Sequence, residues 1–131
     1  QNFQYKKNIA YLHNDNRLMP GSVNAWSSWN SILNKDDLKK NCVTYWLNNL
    51  QNLKTKTNYF LTLNPFIPIE DNKIVKKIEF THPFYDKKAI NAQKYLSELQ
   101  GVNNSYFCGS YFGYGFHEDG LNSGLDVANK L

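Results

Sequence analysis

The sequence predicts an α+β fold: an antiparallel β-rich region over residues 1–83, then a helix–strand–loop–helix segment over residues 84–131. Three observations carry this expectation. Runs of β-branched and aromatic residues recur between polar turns in the first two thirds of the chain. From Asp86 onward, apolar residues recur at helical spacing instead. After Cys108, the glycines Gly109, Gly113 and Gly115 open a loop that leads into a second helical pattern.

The elements follow in order. Asn8–His13 is a short apolar strand, and Asn14–Arg17 is a polar turn. Pro20, Gly21 and Ser22 break the chain before a second strand, Ala25–Trp29, with two bulky aromatics. Val43–Trp46 is a third strand, and Leu47–Gln51 turns helically after it. Tyr59–Leu63 is a fourth, stopped by Asn64 and Pro65. Ile74–Thr81 alternates charged and apolar residues as a half-exposed fifth strand, closed by His82 and Pro83. Asp86 is an N-cap, and Ala89, Ala92, Leu96 and Leu99 give a helix to Gln100 with Gly101 as C-cap. A short strand, Ser105–Cys108, precedes the loop Gly109–Gly115, and a terminal helix starts at about Asp119. Its stripe of Leu121, Gly124, Leu125 and Ala128 is apolar, with Gly124 small enough to let the helix lie close to a sheet. One helix and one strand do not make a stable α/β layer, so the sequence reads as a fragment whose N-terminal half precedes Gln1.

Composition narrows the function. In 131 residues, 41% hydrophobic and 15% aromatic content supports a packed core. No apolar run is long enough to span a bilayer, and the first residues carry no signal-peptide pattern. The net charge is +4, yet Arg17 is the only arginine among fifteen basic residues, and the lysines are interspersed with acids. That is a solvated face rather than a nucleic-acid footprint. Cys42 and Cys108 form neither a disulfide framework nor a C-x-x-C pair. Cys108, in the apolar run Tyr106–Cys108, is expected as a buried free thiol in a reducing, cytoplasmic setting.

The segment from Tyr106 to Ala128 carries the chemistry. It delivers a strand into a glycine loop and then into a helix N-terminus, whose unpaired N–H groups and positive dipole end suit an anionic or electron-rich ligand. Such strand–loop–helix ends are where nucleotide cofactors lie in α/β sheets. From composition alone, glycines that serve only loop geometry are an equal alternative. No metal cluster, Ser/His/Asp set or phosphate-binding P-loop is present in the sequence.

The run Cys108-Gly109-Ser110, continuing through Gly115-Phe116-His117-Glu118-Asp119-Gly120 to Ser123-Gly124, resembles the last FAD-binding motif of the flavin amine oxidases. It is still more similar to the bacterial predicted NAD/FAD-binding proteins of that superfamily. Upstream pieces agree with the same group: Leu12–Asp15, Leu18–Pro20, Trp26–Asn30, Val43–Trp46, Leu61–Pro65, and Ala92-Gln93 with Gln100-Gly101. The resemblance thus covers nearly the whole chain. It implies the C-terminal part of an FAD-dependent oxidoreductase acting on a small organic substrate. Residues 1–83 would be part of the substrate domain, and residues 84–131 the last part of a Rossmann-like FAD-binding domain. The family's opening G-x-G-x-x-G unit is absent from this chain, so the missing N-terminal half is the implied partner. Related domains are also joined to cyclopropane fatty acid synthases, which suggests a role beside a lipid-modifying methyltransferase.

The resemblance also assigns residues. Gly109 and Ser110 would lie by the ribityl and pyrophosphate stretch, although Ser110 stands where many relatives carry an acid that binds ribityl hydroxyls. Phe116 would face the flavin ring, with Gly115 and Gly120 leaving the backbone room to approach. His117, Glu118 and Asp119 would lead into the helix whose amides stabilise negative charge on the reduced ring. His117 offers either a side-chain proton or its backbone amide alone, and Glu118 and Asp119 are either ligand contacts or ordinary helix-start charges. Trp26, Trp29 and Trp46 line a substrate cavity or fill the core. His13 and His82 read as turn or surface histidines. The alternative from another class is a non-catalytic β-rich binding module whose glycine loop is structural.

Overall fold

The computed structural model describes residues 2–131. The architecture is α+β: a five-stranded antiparallel sheet accompanied by three α-helices. The strands are β1 (Gln4–His13), β2 (Trp29–Leu33), β3 (Asn41–Trp46), β4 (Phe60–Leu63) and β5 (Ile74–Phe84), in the order β2-β3-β4-β1-β5. The helices are α1 (Leu47–Leu50), α2 (Lys87–Gln93) and α3 (His117–Ala128). The chain divides into two compact units: Lys7–Phe80, and the residues up to Lys6 together with Thr81–Leu131.

In the first unit, register follows the side chains that must be buried. Thr44 on β3 stands opposite Thr62 on β4, and His13 on β1 stands opposite Phe60. Phe60, Leu18, Met19, Ala10 and Cys42 are buried there. Trp26, half-buried, packs edge-on against both the half-buried Trp46 (5.3 Å between centroids) and the buried Phe60 (5.6 Å). The expected strand Ala25–Trp29 is displaced: Val23–Ala25 is a 3₁₀ turn and β2 begins only at Trp29. The cause is local. Ala25 N–H closes back on Ser22, the Trp26 indole donates to the Pro20 carbonyl at 2.8 Å, and the Asn30 side chain accepts from Ser27 N–H. Those bonds occupy groups that a strand ladder would use. The strand at the other end is longer than expected, because β5 runs through His82 and Pro83 to Phe84. As an edge strand, β5 tolerates a residue with no N–H to donate.

In the second unit, Asp86 caps α2 through its side chain, which accepts from Ala89 N–H at 2.8 Å. The helix stops at Gln93, short of the expected Gln100, and Leu96–Leu99 continues as a 3₁₀ turn. The tightening keeps Ala89, Ala92 and Leu96 buried on one stripe. No strand forms over Ser105–Cys108. Asn103 and Asn104, both at positive φ, turn the chain so that only Val102 and Ser105 bridge. The Gln100 side-chain amide then accepts from Phe107 N–H at 2.9 Å and donates to Phe107 C=O at 2.8 Å, supplying both bonds that a neighbouring strand would make. Cys108 is exposed, contrary to the buried thiol expected of it. The apolar stripe of α3 is also exposed, with Leu121 at 58% and Leu125 at 53% of full accessibility, while Ser123 is the residue buried. A Cβ on Gly124 would meet nothing within 4 Å among the described residues, so no close approach uses that glycine here. No helix among the described residues is long and apolar enough to cross a membrane.

Candidate functional site

The loop from Gly109 to Phe116 is built by three side chains that reach in from the flanking helices. From α2, Gln93 Nε2 donates to the carbonyls of Tyr111 and Gly113. From α3, the Ser123 hydroxyl accepts from Gly109 N–H at 2.8 Å, and its own proton has the Gly120 carbonyl at 2.9 Å and the Gly109 carbonyl at 3.1 Å to choose between. Also from α3, the Asp119 carboxylate accepts from Tyr114 N–H and Phe116 N–H, both at 2.9 Å. Inside the loop, Ser110 begins a 3₁₀ turn and its carbonyl receives the N–H groups of Gly113 and Gly115.

This bonding sets where α3 begins. The helix starts at His117 with Phe116 as N-cap, earlier than the expected Asp119, because Asp119 acts from within the first turn, reaching back to the N-cap amide. Glu118 and Asp119 therefore both lie at the positive end of the helix dipole. Asp119 is committed to the loop, whereas Glu118 and His117 are exposed.

The glycines divide by what surrounds them. A Cβ on Gly113 would lie 2.3 Å from the Asp119 carboxyl, and one on Gly109 would lie 2.6 Å from the Tyr111 ring. Gly115 has φ +94° and its absent Cβ would lie 2.9 Å from Tyr85 Oη, so both backbone and packing require glycine there. The Tyr85 hydroxyl is buried without a hydrogen-bond partner among the described residues. At Gly120 a Cβ would make ordinary contact with Ser110 N at 3.6 Å, so the chain's own atoms leave room there. Gly113, a loop glycine to which the resemblance gave no cofactor role, is the most crowded of these positions. Ser110 contributes its backbone to the turn.

The loop's exposed side chains are aromatic: Phe116 is 69% accessible and Tyr114 is exposed as well, with Phe107 exposed just before the loop. The first N–H groups of α3 have no acceptor within the helix, as at any helix start. No lysine or arginine occurs between Lys94 and Lys130. A shallow cavity of about 190 Å³ behind the loop is lined by Asp119 and Asp126 together with Gly113, Asn122 and Ser123. An apolar cleft of about 260 Å³ in the same unit is walled by Phe3, Leu96, Leu99, Phe107 and Tyr111.

A second polar cluster lies in the other unit, around a histidine that the sequence suggested was a turn or surface residue. His13 is fully buried, and its Nε2 stands 2.7 Å from Thr62 Oγ1, which is 2.8 Å from Thr44 Oγ1. Burial pulls the His13 pKa from 6.5 to about 4, against the opposing pull of the Asp15 carboxylate. Asp15, also fully buried, receives Arg17 at both carboxylate oxygens, and those hydrogen bonds hold it well below the usual carboxylate range. Arg17 in turn reaches Glu70 at 3.3 Å, and Lys73 reaches Glu70 at 3.2 Å. Within this cluster His13 and Asp15 are enclosed, while Arg17 and Glu70 reach the surface. The separation of its members, 49 residues between His13 and Thr62, left no local signal in the sequence. His82 is exposed, with Nδ1 donating to the Pro83 carbonyl at 2.9 Å. Among the described residues, no group of three or more His, Cys, Asp or Glu side chains is placed to hold a metal ion. Compared with known proteins, the chain matches no family model and no curated sequence.

Proposed function

We propose that this chain contributes the flavin-facing loop and helix, and part of the substrate cavity, of an FAD-dependent oxidoreductase of the flavin amine oxidase kind. The observation that carries the reading is the run from Cys108 to Gly124, in which crowded glycines and an exposed Phe116 lead directly into the first turn of a twelve-residue helix. On this reading residues 84–131 belong to a Rossmann-like FAD-binding domain and residues 1–83 to the substrate domain.

The residues present fit one end of the cofactor. The exposed Phe116 ring and the first-turn N–H groups of α3 suit a flat, uncharged ring that carries carbonyl acceptors. They do not suit a diphosphate, because the loop has no cation and its first helical turn bears Glu118 and Asp119. Gly109 and Ser110 fit the ribityl chain, and the diphosphate needs residues outside this loop. When bound, FAD supplies the acceptor for a hydride equivalent from a C–N or C–C bond of a small organic substrate. This chain's part is to orient the ring with Phe116, Gly115 and Gly120, and to offer the amides of His117, Glu118 and Asp119 where negative charge gathers.

One observation favours a second reading, a non-catalytic β-rich module. Gln93, Ser123 and Asp119 already use loop carbonyls and amides, as a purely structural loop would. Purification of the protein expressed from its full reading frame separates the two. The flavoenzyme reading expects a yellow protein that releases stoichiometric FAD on denaturation; a colourless protein that takes up no added FAD overturns it.

A further inference from the structure

β5 forms one edge of the sheet, and its residues from Val75 to Phe80 are exposed on both faces. An exposed edge presents a row of unpaired N–H and C=O groups that can template another strand. We propose that β5 pairs antiparallel with β5 of a second copy of this chain, about a two-fold axis at Ile78.

Charge selects the partner and the register. Lys77 and Glu79 flank Ile78 on one face and form an ion pair at 3.0 Å within the chain. Around an axis at Ile78, Lys77 of each copy stands opposite Glu79 of the other, so the four charges alternate. Moving the axis to Lys77 sets lysine against lysine, and moving it to Glu79 sets glutamate against glutamate, both unfavourable. A two-fold perpendicular to the sheet must pass through a residue position, since side chains alternate between faces. On the other face Ile78 meets Ile78, and Lys76 comes alongside Phe80, an arrangement open to cation–π attraction. That contact would cover Ile78 and Phe80, now 41% and 37% accessible. Lysines on an edge strand ordinarily discourage pairing; here the second copy's Glu79 neutralises one of them. The pairing is independent of whether the loop binds flavin.

Sedimentation of the chain from about 10 µM to about 500 µM, a range suited to a weak dimer, tests the proposal. The unmodified chain should shift from monomer to dimer. Lys77→Glu should remain monomeric throughout, with an unchanged circular dichroism spectrum. The swap Lys77→Glu with Glu79→Lys should restore dimerisation to within about threefold of the unmodified chain, since each charge again meets its opposite. In a Cys108→Ser background, Ile78→Cys should form an intermolecular disulfide with oxidised glutathione, whereas Val75→Cys, away from the axis, should not. A chain that stays monomeric, a Lys77→Glu variant that dimerises as well as the unmodified chain, or failure of Ile78→Cys to cross-link overturns the proposal.

Discussion

The backbone N–H of Asp15 donates to Nδ1 of His13 at 3.1 Å, which fixes the imidazole as its neutral Nε2–H form. Nε2–H then donates to Thr62, and the Thr62 hydroxyl donates to Thr44, so the direction of the buried chain is set from one end. Protonating Nδ1 would turn a proton against the Asp15 amide and place a charge where water cannot reach it.

Stability should therefore fall with acid in a defined window. The folded pKa of about 4 lies below the ordinary 6.5, so the unfolded chain binds the proton more tightly. The His13 contribution is complete above pH 6.5 and is lost as pH falls toward 4, amounting to about 3 kcal/mol at most. Asp15, with its pKa lowered by Arg17, adds a loss only in stronger acid, below its ordinary 3.8. Urea unfolding at steps between those limits should show the slope in the unmodified chain. His13→Gln should start less stable and stay nearly flat from pH 6.5 to 4.5, and an equal slope in that variant would assign the effect elsewhere.

Thr62 sits between two partners and Thr44 at the end of the chain, which predicts unequal costs. Thr62→Val leaves both the His13 Nε2–H and the Thr44 hydroxyl unpaired, a loss of about 2–4 kcal/mol, whereas Thr44→Val leaves only the Thr62 proton, about 1–2 kcal/mol. The double variant should cost less than the sum. Additive unfolding energies would argue against a connected network.

How far the sequence could be read follows from where each bond partner lies. The strands around Tyr11, Tyr45 and Leu61 were legible because β-branched and aromatic residues fill them. Asp86 was legible as a cap because its acceptor role is spent three residues away. Trp26 misled because its aromatic character suggests a strand, while Pro20 and Asn30 engage its neighbourhood in a turn. His13 misled because its partner Thr62 is remote in sequence. At the candidate site, the glycine loop and the helix after it were legible, but the crowding at Gly113 was not. It arises from Asp119, whose acidic side chain reads equally well as an N-cap or as an internal acceptor.

That carboxylate gives a stability test of the loop. Asp119→Ala removes the acceptor for two amides and should cost about 1–2 kcal/mol. Gly113→Ala alone should cost more, because its methyl would lie 2.3 Å from the Asp119 carboxyl. In the double variant the 2.3 Å contacts with the carboxyl are gone and only the Cβ of residue 119, at 2.8 Å, still crowds the new methyl, so the combined loss should be smaller than the sum of the two. Thermal melts of the three variants decide it, and strict additivity would mean the loop relaxes around Gly113 without Asp119.

The flavin reading is tested by ranking substitutions at three positions, Phe116, Gly120 and His117, in the protein expressed from its full reading frame. Phe116 is exposed and makes no polar side-chain bond, so Phe116→Ala removes a wall and should keep FAD bound while lowering kcat about tenfold, about 1.4 kcal/mol of barrier. Gly120 has ordinary room beside Ser110, so Gly120→Ala should be tolerated. Gly120→Leu projects further and should lower FAD occupancy through clash rather than through loss of charge. His117 is exposed at the first position of α3, where its backbone amide serves whatever the side chain is. His117→Ala should therefore change occupancy and kcat less than either of the others. Bound-flavin absorbance gives occupancy, and turnover per bound flavin gives kcat. Full occupancy in Gly120→Leu, or unchanged kinetics in a folded Phe116→Ala protein, would move the ring away from this loop and leave Gly109–Gly120 a structural turn.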